Sequence, residues 1–259
     1  MKRNEFIKMA SKGAVALSSL GHLSFNLFKE PFFKISLAQW SFNKSIRYGS
    51  MSPYSFAKVA KNLGFSGLEY VNQLYEGVMN TSGGDKITSV KFWAKESFKL
   101  AKENGIENVL IMIDSEGDLA DENRNRRNQS IDNHKLWVDA ANESGCKSVR
   151  VNLHGTSNEN KWKEYSMESL TKLAGYAQSL NINVIVENHG QLSSNIPVLM
   201  EVINNVNMKN CGTLPDFGNF CMVSGYGNIF EGECPEIYDL YKGVEAVSYT
   251  HLRAHETRH

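Results

Sequence analysis

Two carboxylates stand where apolar runs stop. VIVENHG (184–190) is buried in character until Glu187, Asn188 and His189, and LPDFGNF (214–220) delivers Asp216 soon after another such run. If Glu187 and Asp216 come from adjacent parallel strands, they can share a divalent cation. Carboxylate oxygens suit Mg²⁺ or Mn²⁺, and an added imidazole from His154 or His189 also admits Co²⁺ or Zn²⁺. Forced together without a cation, the two carboxylates repel and one pKa rises. Read singly, each is as readily a loop cap or a lysine partner, and each histidine a satisfied structural group. Glu69, Trp40, His154 and Asn219 are the candidates for substrate contact. Glu187 and His189 are the candidates for proton transfer, and Glu187 and Asp216 for metal.

The segments that must position these groups alternate. ISLAQW (35–40), GLEYV (67–71), NVLIMID (108–114), SVRVNLH (148–154), NVIVEN (183–188) and CGTLPD (211–216) read as strands. Helical patterns cover 52–64, 87–104, 128–144, 166–180, 194–205 and 235–243, the first capped by Ser52 with Pro53 at its first position. Strand–helix alternation of this kind predicts a parallel sheet with crossover helices. No GxGxxG follows the first strand, so a dinucleotide fold has no support. Polar residues close nearly every strand: Gln39 and Trp40, Glu69, Asp114 and Glu116, His154, Glu187 and His189, Asp216. An open sheet gathers ligands at one switch point, whereas a barrel gathers every strand end around one mouth, so the even spread favours a (β/α)8 barrel. Residues two apart share a strand face, which puts Ile185 with Glu187 and Arg150 with Asn152 and His154.

The 259 residues carry 28 basic and 28 acidic side chains, so nothing favours nucleic acid as a partner, and 41% hydrophobic content can fill a sizeable core. Cys146, Cys211, Cys221 and Cys234 form no CxxC pair; they read as buried thiols, although Cys221 and Cys234 can pair in an oxidising compartment. Residues 1–30 begin basic and turn small and apolar, the layout of an export signal. Arg3 followed by Phe6 and Lys8 resembles a twin-arginine signal lacking its second arginine, which points to the periplasm, with the cytoplasm as the alternative. No other stretch is long and apolar enough to span a bilayer.

GFSGLEY (64–70), VRVNLHG (149–155), VIVENHG and NCGTLPDFGNF (210–220), in that order, resemble the xylose isomerase-like TIM-barrel family of sugar phosphate isomerases and epimerases over residues 34–246. The resemblance implies an α/β barrel and a small carbohydrate substrate. It implies a divalent metal on the fifth-strand Glu and sixth-strand Asp, here Glu187 and Asp216, completed by a ligand near strand seven and a Glu on strand eight. The two glutamates would flank the substrate as acid and base. A lyase or dehydratase of keto-sugars or inosose, or a sugar-binding barrel without chemistry, remains the alternative. Where many members have Asp-x-x-His this chain has Asn219, which argues against a multi-zinc nuclease centre. The expected barrel is incomplete, with about six βα units and a strand seven beginning near Val244. Val247–Thr257 reads as translated sequencing-library adapter, so 247–259 is expected to be a non-native tail, the fragment inactive and poorly folded, and His251, His255 and His259 no ligands.

Overall fold

The structure, a computed structural model, describes residues 34–81, 85–223, 225–230 and 232–256. The export-signal-like segment 1–30 and the last residues of the tail lie outside them. Six strands run parallel in sequential order: β1 (Ser36–Ala38), β2 (Gly67–Val71), β3 (Glu107–Met112), β4 (Ser148–Val151), β5 (Asn183–Glu187) and β6 (Cys211–Leu214). The principal helices between and after them are α1 (Phe56–Asn62), α2 (Lys86–Asn104), α3 (Arg124–Ser144), α4 (Glu159–Gln178), α5 (Ile196–Val206) and α6 (Leu240–Glu256). This is the parallel α/β arrangement of a TIM barrel with six of its eight strands present among the described residues.

Local chemistry sets the boundaries. Ser52 accepts a hydrogen bond from the Tyr54 N–H ahead of α1, and Asp85 accepts from Thr88 N at 2.9 Å to open α2. Asn123 and Asn158 cap α3 and α4 in the same way, which starts both helices earlier than apolar periodicity alone suggests. Gly105 and Gly145 end α2 and α3 in left-handed conformations.

Strand alternation separates two cores. Leu68, Tyr70, Ile111, Val149, Val151, Val184 and Val186 face the helices and join the large outer core. Val71, Leu110, Met112 and Ile185 form a small inner core, and Ala38 of β1 and Leu214 of β6 both pack against it. First and last strands touching one cluster means that the sheet curls, as a barrel wall does. Register then stacks the inward residues in layers: Met112 pairs with Arg150, and Arg150 with Ile185, while Glu187 pairs with Leu214 one layer higher.

Two expectations fail at the C-terminal end. Residues 235–239 are not helical; Met222 N donates to Glu236 O at 2.9 Å and Cys221 bridges Ile237 in antiparallel fashion. Val244 does not begin a strand but lies inside α6, which runs on to Glu256, within the stretch read from sequence as a tail. Leu240, Val244 and Val247 recur at helical spacing, Val247 is buried, and Thr213 Oγ1 donates to Val247 O at 2.6 Å. No helix among the described residues is long and apolar enough to cross a membrane.

Candidate active site

The inward layer above the small core carries the charge. Arg150 projects from β4, and Asn152 and His154 follow on the same face of the chain. Asp114 follows β3, Glu187 ends β5, and Asp216 lies two residues past β6. Arg150 is only 4% exposed. Its Nη1 donates to Asp114 Oδ1 at 2.7 Å, and its Nε lies 2.8 Å from Glu187 Oε2 without the alignment of a hydrogen bond. One buried guanidinium thus serves two carboxylates, the buried Glu187 and the partly buried Asp114, as its burial requires.

The two carboxylates fare differently. Burial alone would raise the Asp114 pKa, but the charge of Arg150 and hydrogen bonds from Arg150 and Gln73 outweigh it and hold it below the ordinary carboxylate value. Asn152 Nδ2 also donates to Asp114 Oδ1 at 2.9 Å, and Asn72 clamps the Asp114 backbone through both its N–H and its C=O. Glu187, 7% exposed, is pushed up to about 7 by burial. Arg150 opposes that rise, and the neighbouring Asp216 and Asp114 carboxylates add to it. The Glu187 and Asp216 side chains are in hydrogen-bond contact, which also favours the protonated form of Glu187. Asn219 Nδ2 donates to Glu187 Oε1 at 3.1 Å.

The turns that present these groups are tightly made. Asn188 points to the outer side, where its Nδ2 donates to Asp216 O and Asn219 O and its Oδ1 accepts from Asp216 N at 2.8 Å. One amide thereby ties the end of β5 to the turn after β6. Gly155 anchors the chain beyond His154: its φ is +150° and a Cβ there would lie 2.1 Å from Ala120 O. His154 and His189 stand edge to face at 5.6 Å between ring centroids. Burial pushes His189 down to about 4, with Arg150 and His154 adding to the effect, and burial lowers His154 as well. Both are therefore neutral imidazoles at pH 7.

Of the residues chosen from sequence, Glu187, Asp216, His154, His189 and Asn219 are brought together. Glu69 is not. It sits mid-strand in β2, level with Ala38 and Leu110 in the lower part of the inner core. There it accepts from Ser36 Oγ and lines a cavity of about 580 Å³ with Ser148 and Asn183, at the N-terminal ends of the strands. The sequence reading placed it at a strand end, but Tyr70 and Val71 continue the strand beyond it. Trp40 leaves β1 at the site end but is 43% exposed and stacks with the Arg47 guanidinium at 4.8 Å. Gln39 is a buried clamp bonded to Pro53, Val71 and Tyr75. Glu116 turns to the helix layer, where it accepts from Trp137 Nε1 and pairs with Lys86. Arg150, Asp114, Asn152 and Asn188 belong to the site and were not among the chosen residues; the shared face of residues 150, 152 and 154 was the signal for two of them.

For a divalent metal, Glu187 and Asp216 supply two oxygen donors that stand side by side. That much fits. Among the described residues no group of three or more His, Cys, Asp or Glu side chains converges to complete a coordination shell.

Residues 57–259 match the family described as xylose isomerase-like TIM barrel. Among solved structures, 3-keto-D-glucoside 4-epimerase from E. coli matches with a TM-score of 0.57 at 15% identity, over 76% of this chain and 71% of that one. A D-tagatose 3-epimerase-like protein matches with a TM-score of 0.55 at 17% identity, over 72% and 66%. The IOLI protein, solved with a zinc atom, matches with a TM-score of 0.54 at 14% identity, over 74% and 66%. For the last two the chain spans just under two thirds of their length. No curated protein sequence matches the chain significantly. At these identities the structural matches speak for the fold.

Proposed function

The chain belongs to the xylose isomerase-like TIM barrel family, and on that premise we propose that it is built for metal-dependent isomerisation or epimerisation of a small carbohydrate, by proton transfer at the carbon next to a carbonyl. The observation that supports this most is the Glu187 carboxyl. It is buried beside Asp216 at the C-terminal end of the sheet, with its pKa pushed up to about 7. A group of that pKa both gives and takes a proton at neutral pH, which is what reversible transfer at a sugar carbon needs. The Arg150 Nε at Oε2 and the Asn219 amide at Oε1 fix the carboxyl plane, so the proton moves at an oxygen of defined direction. Neutral His189 and His154 supply imidazoles able to donate to or accept from sugar hydroxyls. Trp40, at the rim, offers a ring face.

Glu187 and Asp216 are the residues that would hold a divalent cation, Mn²⁺, Mg²⁺, Co²⁺ or Zn²⁺. When bound, such a cation supplies polarisation of the substrate carbonyl and its neighbouring hydroxyl. The Cys221–Cys234 disulfide supports export to an oxidising compartment, in line with the signal-like N-terminus.

The test is product analysis by chromatography and NMR on a panel of aldoses, ketoses and their phosphates with Mn²⁺, run with the full-length gene. Appearance of an epimer or an aldose–ketose pair is expected. Loss of water from a keto-sugar would transfer the reading to the dehydratase class, and binding without turnover to a sugar-binding role.

A further inference from the structure

The stretch after Asp216 leaves three aromatic side chains in solvent: Phe217, Tyr226 and Phe230, exposed by 65%, 73% and 77%. Single exposed rings are ordinary. These three share one stretch at the edge of the buried carboxylates. The Tyr226 ring stands edge to face with His189 at 5.7 Å between centroids. The Phe230 ring covers Gly218, where a Cβ would meet it at 3.1 Å, and Gly218 N donates to Asp216 Oδ1 at 2.7 Å. One ring therefore flanks the imidazole side of the site and another the Asp216 side.

The stretch is held in place rather than loose. A disulfide joins Cys221 to Cys234. Within it, Cys221 N donates to Gly227 O at 2.8 Å, and Ile229 N donates to Gly218 O at 2.9 Å. Gly227, at φ +75°, lies so close to the turn after β5 that a Cβ would come within 2.5 Å of Gly190 N. Rings presented by a tethered backbone lose little freedom when a ligand covers them.

We infer that this disulfide-closed loop is an aromatic subsite for a second ring, so that the substrate is a glycoside rather than a free monosaccharide. The inference rests on the reading of Glu187 and Asp216 as the reacting end of a sugar site. A sugar ring there meets carboxylates, imidazoles and amides, which suit its hydroxyl edges. Aromatic faces suit the C–H face of a pyranose instead. Phe217 and Phe230 lie beyond Asp216, outside the charged cluster, where a ring linked to the reacting one would reach.

The test is calorimetric titration of the full chain with cellobiose and with D-glucose. Cellobiose is expected to bind about tenfold more tightly, the scale of one good ring contact. Phe230→Ala and Tyr226→Ala should each remove that preference, while Tyr226→Phe, which keeps the ring, should retain it. Far-UV circular dichroism confirms that each variant is folded, and these exposed side chains can be shortened without opening the core. Equal affinity for the two sugars in the parent chain, or a preference that survives both alanine variants, would overturn the inference and leave the proposed function standing. Binding of neither sugar would overturn the inference, and product analysis alone would then decide the proposed function.

Discussion

Replacing Glu187 by Gln should change how stability depends on pH, because two opposed titrations meet in this site. The Glu187 pKa rises on folding from an ordinary 4.5 to about 7. The folded state holds that proton more tightly, so its contribution is full below about pH 4.5 and is lost as pH climbs to about 7. His189 falls from 6.5 to about 4. Its contribution is full above about pH 6.5 and is lost as pH drops to about 4. Each slope is about 1.4 kcal/mol per pH unit and each total is about 3 kcal/mol, with opposite signs. Between about pH 4.5 and 6.5 they cancel. Gln keeps the shape of Glu187 and cannot titrate, so the variant loses the opposing slope and keeps that of His189, while His154 and His134, also lowered by burial, tilt parent and variant alike. Asp114, held low, changes protonation beneath this window. Urea unfolding followed by far-UV circular dichroism, at half-unit pH steps with a chelator present, reads the effect. Across about pH 4.5 to 6.5 Glu187→Gln should gain about 2–3 kcal/mol more than the parent chain. A variant with the parent's pH dependence would refute the opposed titrations.

Three further outcomes follow from the packing. Arg150→Met strands Asp114 and Glu187 without their shared cation and should cost about 3–5 kcal/mol in urea unfolding, part of it recovered by adding Asp114→Asn; an unchanged midpoint would show that the guanidinium is not the partner of both. Reduction of Cys221–Cys234 releases a loop of 13 residues' separation and should lower stability by about 3 kcal/mol, seen as a lower melting temperature in dithiothreitol. Gly155→Ala drives a Cβ into the Ala120 carbonyl and should cost about 1–3 kcal/mol while shifting the His154 ring resonances in NMR; unshifted resonances would mean that this contact does not position the histidine.

Much of this was legible in sequence because burial writes itself as periodicity. Apolar runs ending in polar residues marked β5 and β6, and parity along 150, 152 and 154 marked one face of β4. What could not be read is which layer a residue occupies, since that depends on register between strands. Glu69 shares the inward face with Val71 but lies in the layer below it, and only pairing with Ala38 and Leu110 reveals this. Arg150 was seen as a strand residue, yet its role depends on Asp114 and Glu187 arriving from strands on either side. The end of the sheet misled for another reason: Val244 and Val247 suit a strand by composition, and their spacing from Leu240, which places them in α6, is visible only once the helix start is known. The aromatic loop carried no periodic signal, and its order comes from a disulfide and backbone hydrogen bonds that close it on itself.

The central claim, that Glu187 moves a proton next to a sugar carbonyl, is tested most directly by solvent exchange. The protein from the full-length gene is incubated with Mn²⁺ and a panel of keto-sugars in D₂O, and deuterium entering the C–H beside the carbonyl is followed by NMR. The account predicts exchange of that hydrogen with at least one sugar and its loss in Glu187→Gln. Exchange in the variant at the rate of the parent chain, or none in the parent with any sugar of the panel, would contradict it.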